Sequence, residues 1–423
     1  MKHYLFGFAL LTLLMAIACF YSFSYKYDQW VNSNTIIKQQ NNPNDLGERS
    51  NFEEDKKNCS TKIFLRKTQL LKYFGQDIKS QEVCNFGYFN NYLKKYGQFA
   101  GEGVWYAPPT GAPSVQSDFY PSGCSFMRFS RGDYLLSECF EMKKIRKILV
   151  TGDSNARKLT QNMIQLFEDI AGKKCKEIAF QKSGNDTKYF DVPNLNNSKI
   201  LTKPCDFGFI SCSSWRYQCP MDYSSNGKFE DNVTIEFIPM FRFVDLSMQL
   251  SLDERNATRR IGLLSANNKL EYLLKYYLPY NGFPDMWIFS PPFHHESLHH
   301  NLTVLKVDIN YLINIMNSFV PARTKIIFMA DARKCNDKLP KHILQTNKQQ
   351  MNVSMNERID QMNRLWYAAL RPKIDNSKNW NVLLDATKIT CPFVCTWHID
   401  GAHYVGVWYK LMSEYILSIL CHS

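Results

Sequence analysis

The hydrophobic pattern changes character three times along the chain. Tyr4 to Phe23 is an uncharged, largely apolar run, long enough to span a bilayer. Residues 24–57 are polar, rich in Asn and Gln and without periodicity, so they read as a flexible stem. From residue 145 onward, short apolar runs alternate with amphipathic stretches. Strands are expected at Ile145–Thr151, Lys176–Gln181, Phe207–Cys212, Asp285–Ser290 and Thr324–Ala330. Helices are expected at Ala156–Ala171, Leu264–Leu278, Val304–Phe319, Met355–Leu370 and Val405–Leu420. Ile235–Phe243 reads as a further strand within an insertion. This alternation predicts an α/β fold with a central parallel sheet and helices on both faces. Sites in such sheets lie beyond the carboxyl ends of the strands.

Between stem and sheet, residues 58–144 carry Cys59, Cys84, Cys124 and Cys139 among many aromatics and glycines. They read as a disulfide-stapled cap packed on the catalytic region, residues 145–423, not as an independent domain. The N-terminal segment, residues 1–23, reads as an uncleaved signal-anchor, because its apolar run exceeds a usual signal core. Ala16-Ile17-Ala18-Cys19 offers small residues for the alternative, a cleaved signal and a secreted product. Lys2 and Lys26 flank the run and barely discriminate orientation. The bulk of the chain is expected in the secretory pathway, at the Golgi or the cell surface, outside the cytosol. Thirteen cysteines suit an oxidising compartment. Asn-x-Ser/Thr sites at Asn58, Asn185, Asn196, Asn232, Asn256, Asn301 and Asn352 point the same way. The net charge of +12 favours acidic glycans or lipid headgroups as partners. No nucleic-acid partner is expected.

Two motifs carry the chemistry. Ile148-Leu149-Val150-Thr151 leads into Gly152-Asp153-Ser154, with a helical pattern directly behind. A serine on a strand-to-helix turn is exposed, and its backbone N–H is free to face an oxyanion. Asp and Ser are also good helix caps, so the tripeptide alone says little. Much later comes Asp400-Gly401-Ala402-His403. A histidine there can take the serine proton while the acid orients the ring. A helix start would present Asp400 and His403 on one face. The expected contact is His403 Nε2 within about 2.6–3.2 Å of Ser154 Oγ, with Asp400 on the other ring nitrogen.

The order Ser…Asp-x-x-His resembles that of the SGNH (GDSL-like) hydrolases. Cys124-Ser125-Phe126-Met127-Arg128-Phe129, the basic Lys143-Lys144-Ile145-Arg146, and Gly152-Asp153-Ser154-Asn155-Ala156-Arg157 are similar to the PC-esterase branch of that superfamily. So are Leu383-Leu384-Asp385-Ala386-Thr387-Lys388 and the final Asp400 to His403 block. The branch includes trichome-birefringence-like and sialic-acid O-acetyltransferases. The resemblance implies a three-layer α/β/α, flavodoxin-like fold. It implies an acyl–serine intermediate on Ser154, with His403 as base and Asp400 orienting it. It places Arg157 near the site and Gly184 as a second oxyanion donor. The family's usual Asn is missing from Ser290-Pro291-Pro292-Phe293-His294-His295, where His294 or His295 would line the pocket. No metal or cofactor is implied. The substrate is an acyl ester or a glycan, with acetyl the expected group.

Other readings compete. His295-Glu296-Ser297-Leu298-His299 matches the zincin pattern, with Glu296 as base. An α/β-hydrolase would need several strands before its serine. A glycosyltransferase would share the anchor and stem, yet no Asp-x-Asp occurs. Cys391 and Cys395 have metal-ligand spacing, but a disulfide fits an oxidising compartment better. A catalytically inactive, glycan-binding or adhesive ectodomain is the non-enzyme alternative.

Overall fold

The strand expected ahead of Gly152 forms as β4 (Lys147–Gly152) and lies inside a seven-stranded sheet. In the computed structural model the order is β10 (Trp380–Val382), β9 (Lys325–Phe328), β8 (Met286–Phe289), β4, β7 (Asn232–Pro239), β6 (Ser213–Pro220) and β5 (Lys176–Lys182). The structure describes residues 62–64, 84–97, 103–106, 118–121, 124–126, 129, 135–182, 213–221, 232–240, 269–291, 302–339, 355–376, 379–382, 389 and 394–422. The chain divides into two compact units, Met1–Lys57 and Asn58–Ser423, and every described residue belongs to the second. Among the described residues no helix is long and apolar enough to cross a membrane. The apolar run Tyr4 to Phe23 and the stem lie outside them.

The five strands β10, β9, β8, β4 and β7 are parallel. β6 runs antiparallel to both of its neighbours, so the sheet is mixed, not wholly parallel as expected. A second correction concerns Ile235–Phe243. It forms most of β7, which pairs with β4 along six residues and belongs to the middle of the sheet, not to an insertion. The expected strand Phe207–Cys212 lies outside the described residues; β6 follows directly after it.

Burial explains the parallel part. Ile148, Leu149 and Val150 of β4, and all four residues of β8, are fully buried. Strands covered on both faces read as unbroken apolar runs. β7 departs from that rule at Glu236, which is fully buried. Burial pushes its carboxyl up, but Lys147 at 3.1 Å and Arg216 at 3.0 Å, with the Tyr277 hydroxyl, hold it below the ordinary range. Tyr277 belongs to a π-helical turn, Leu273–Tyr277, between the helical pieces Lys269–Tyr272 and Leu278–Asn281, together α4.

The remaining helices are α1 (Phe86–Tyr96), α2 (Leu135–Lys143), α3 (Ser154–Ala171), α5 (Leu302–Phe319), α6 (Met355–Asn376), α7 (Val394–Trp397) and α8 (Gly406–Cys421). The chain crosses from β4 through α3 to β5 at one edge, returns inward through β6 to β7, then passes to β8 on the other side of β4 and continues through β9 to β10. Right-handed crossovers therefore place α3 on one face and α5 and α6 on the other. The contacts agree: α3 packs against α8, and α5 against α6.

The region before residue 145 is tied into this body. β1 (Lys62–Phe64), β2 (Gly103–Tyr106) and β3 (Asp118–Pro121) form a small separate sheet. The Phe119 N–H donates to the Tyr415 hydroxyl at 3.2 Å, and Phe126 stacks on the same ring at 4.0 Å. α1 covers the β10 edge, where the Asn90 amide accepts from the Val382 N–H at 3.1 Å and donates to the Asn381 side chain at 3.3 Å. A covered edge cannot recruit another strand. Disulfides join Cys84 to Cys124, Cys139 to Cys421, Cys175 to Cys219 and Cys335 to Cys395. Cys395 is thus bonded to Cys335 and not to Cys391.

Candidate active site

β4 and β8 part company at the point where the chain reverses its direction across the sheet, and Ser154 sits beyond the end of β4 there. Such switch points open a crevice at the carboxyl ends of the strands. The turn into α3 is built locally. Gly152 has φ +154°, and a Cβ there would lie 2.7 Å from both the Ser290 carbonyl oxygen and the Ala156 Cβ. Only glycine allows β4, β8 and α3 to meet this closely. Asp153 is the N-cap, its side chain accepting from the Asn155 N–H at 2.8 Å. Ser154 therefore opens the helix. Among the described residues no hydrogen bond engages its N–H, one of the orphan donors of a helix start.

Asp400 and His403 arrive on a loop. Asp400 does not cap a helix: α8 starts at Gly406, close to the expected Val405, with Val405 before it. Instead the Asp400 carboxylate accepts from the Ala402 N–H at 3.1 Å and the His403 N–H at 2.7 Å, closing a tight turn on itself. Gly401 has φ +84°, and a Cβ there would sit 2.6 Å from the Cys335 carbonyl oxygen. A pairing of His398 with Tyr404 closes the base of the loop.

The loop delivers His403 to the serine. His403 Nε2 lies 2.7 Å from Ser154 Oγ, and its Nδ1 lies 2.7 Å from Asp400 Oδ2. A carboxylate only accepts, so Nδ1 carries the proton and Nε2 is free to accept from the hydroxyl. Burial pushes the Asp400 carboxyl up, but the His403 ring and the two turn N–H groups outweigh it and hold its pKa at about 2.

Further contacts fix this arrangement, and the sequence assigned none of their residues to the site. Asn155, buried beside Ser154, donates to the Ala402 carbonyl at 3.3 Å and accepts from the Tyr409 hydroxyl at 2.6 Å. The Cys335 N–H donates to the Gly401 carbonyl at 3.1 Å, and Lys338 Nζ donates to the His398 carbonyl at 2.7 Å. The Cys335–Cys395 disulfide joins the same two segments. Behind them Lys334, only 1% exposed, pairs with Asp331 at 2.9 Å and lies 5.2 Å from the Tyr404 ring centre. Burial pushes the Asp331 carboxyl up to about 6; Lys334 opposes this and the nearby Asp153 adds to it.

Of the other residues expected at the site, Arg157 lies one turn into α3 and is half-buried. Gly184, His294, His295, Glu296 and His299 lie outside the described residues. Among the described residues, Cys335, Asp337 and Cys395 stand close enough to share a metal ion, but the two cysteines are bonded to each other.

No family model matches the chain, and no curated protein matches it. Among solved structures, one described as "Peptidoglycan O-acetylesterase in action, 5 min" aligns with 69% of this chain and 97% of its own. The identity is 9% and the TM-score 0.34, and so distant a likeness carries no functional weight.

Proposed function

We propose that the chain is a serine acyl-esterase or O-acyltransferase of the SGNH type, working through an acyl–serine intermediate at Ser154. The observation that carries this reading is the unbroken relay from Asp400 through His403 to Ser154, both links at 2.7 Å. His403 Nε2 takes the Ser154 proton as Oγ attacks the ester carbonyl. The Ser154 N–H, at the positive end of α3, faces the developing oxyanion, and Gly184 is the proposed second donor. His403 then returns the proton to the leaving alkoxide. Water or a sugar hydroxyl, deprotonated by the same nitrogen, releases the acyl group in the second half-reaction. Asp400 stabilises the imidazolium throughout without itself taking the proton.

The acyl group is acetyl and the substrate a glycan, in a protein anchored by Tyr4 to Phe23 with its folded part in the secretory lumen or outside the cell. These finer assignments rest on the sequence motifs, the cysteine content and the charge.

The test is a serine-directed fluorophosphonate probe, with turnover of an activated acetyl ester measured alongside. Labelling is expected in the wild type and lost in Ser154→Ala. Turnover falls by about 10⁴-fold or more in Ser154→Ala or His403→Ala, since members of such a relay act as a unit. Full activity in both variants would sink the reading. Activity lost to a chelator and restored by zinc would move the site to His295 and His299.

A further inference from the structure

α3 presents more than the nucleophile to the crevice. Its buried face is set by Ala156, Leu159, Thr160, Met163 and Phe167. Residues advance about 100° each around a helix, so Ser154, Arg157 and Lys158 share the opposite, open side. Asn155, turned about 60° further than Lys158, reaches the Ala402 carbonyl. Lys158 therefore rises on the side of the Asp400 turn, and Arg157 on the other side of Ser154.

Both cations are half-buried, and neither forms an ion pair or a side-chain hydrogen bond among the described residues. Several other buried or half-buried cations are matched by a carboxylate. Lys147 and Arg216 meet Glu236, Lys334 meets Asp331, and Arg333 meets Asp360. Asp400 is the carboxylate whose charge reaches Lys158, and that carboxylate is already engaged by the His403 ring and two N–H groups. Two neighbouring cations thus stand beside Ser154 without an ion-pair partner of their own.

We propose that Arg157 and Lys158 form an anion-binding subsite that holds an oxyanion group of the acyl-bearing substrate next to Ser154; this rests on the acyl-transfer reading above. The shared chemistry is a carboxylate or phosphate within reach of one guanidinium and one ammonium. Two sources fit it: the carboxylate of an acidic sugar, or a phosphate of the acyl donor. Burial lowers the Lys158 pKa, the Asp400 charge opposes that, and Arg157 adds to it. An incoming anion would relieve both costs. Lys158 is the discriminating member, because it lies on the side of Ser154 where the Asp400 charge reaches it.

The experiment compares kcat/KM for pairs of substrates that carry and lack the anion, with Lys158→Met separating the anion from the other differences within each pair. One pair is an acetylated oligogalacturonate and its methyl-esterified form. The other is acetyl-coenzyme A and the phosphate-free thioester S-acetyl-N-acetylcysteamine. The wild type should prefer the charged member of one pair by about tenfold or more, and that pair identifies the source. The preference should collapse in Lys158→Met, mainly through KM, return in Lys158→Arg, and stay unmoved in Lys173→Ala at the far end of α3. Turnover with no charge preference in either pair overturns the subsite and leaves the acyl-transfer reading standing. If the wild type turns over no ester, equilibrium binding of oligogalacturonate and of coenzyme A to Ser154→Ala decides. Binding of either that is lost with Lys158→Met supports the subsite without the chemistry. Binding unchanged by that substitution, or no binding, overturns it.

Discussion

The two halves of the relay are held in different ways. The nucleophile half is local: within five residues, a buried strand, Gly152 at φ +154° and the Asp153 cap fix where Ser154 stands. The Asp400–His403 half is held from outside. Its turn is closed by its own carboxylate, but its position depends on Cys335, Lys338, Asn155 and a disulfide from elsewhere in the chain. Ser154 is therefore as stable as the sheet, whereas His403 is only as well placed as its clasp. Damage to the first should cost folding. Damage to the second should cost rate.

The sharpest way to break the contrast is to add one methyl group to each turn. Gly152→Ala drives a Cβ into the Ser290 backbone and Ala156. It is expected to destabilise the fold by about 2–5 kcal/mol, read as a fall in the urea midpoint. Gly401→Ala forces a Cβ against the Cys335 carbonyl and the Leu339 N–H. The expected result is a smaller loss of stability and a fall in kcat/KM of about 10²-fold, since a displacement of about 1 Å at a reacting group is enough. If Gly401→Ala unfolds the protein as readily as Gly152→Ala, the contrast fails.

Disulfides give a second comparison. Replacing both Cys335 and Cys395 by Ser should lower activity per folded molecule about tenfold, by loosening the clasp. Replacing both Cys139 and Cys421 should cost about 2–5 kcal/mol of stability, with activity at 25 °C kept. A smaller effect is expected from Asn155→Ala, which removes the link from α3 to the loop. One lost hydrogen bond of about 1 kcal/mol predicts roughly a fivefold fall in kcat, with Asn155→Asp failing to restore the donated bond.

The smallest effect concerns acid. Asp400 sits at about 2 in the folded protein, below its ordinary 3.8. A depressed carboxyl contributes stability that is fully present above about pH 4 and is lost as pH falls through about 2. The Asp400 side chain is 53% exposed, so solvent screens the pairing and the slope should be shallow. Urea midpoints of wild type and Asp400→Asn between pH 5 and 2 should converge at the acid end. Parallel curves would show that the pair adds nothing to folding.

The same division decided what could be read from sequence. β4, α3 and the Gly-Asp-Ser turn were legible because their determinants lie within a few residues of one another. β8 and β9 were legible as buried apolar runs. β7 was misjudged because Glu236 interrupts its run, and the charges that neutralise it come from β4 and β6. β6 escaped notice because Trp215, Arg216, Tyr217 and Gln218 are only half-buried and give no apolar run. β10 has three residues, one of them Asn381, and its edge is covered by Asn90 from α1. The Asp-x-x-His spacing was legible, but its setting was not. A turn that depends on Cys335 and Asn155 leaves no periodic trace.

The separation of Ser154 and His403 by 249 residues also sets an order in time. Chains are made at about 5–20 residues per second, so His403 follows Ser154 by roughly 12–50 s. The strand and turn that hold the nucleophile need β7 and β8, which are made before the loop. The apolar face of α3 is closed by α8, which is made after it. During that interval the chain carries Ser154 without His403, and α3 rests on β4, β6 and β7 with the part of its apolar surface that meets α8 still uncovered. It is then at its most vulnerable to association with other nascent chains. The bond from Cys139 to Cys421 ties the last turn of α8, made late, to the helix before β4, made early.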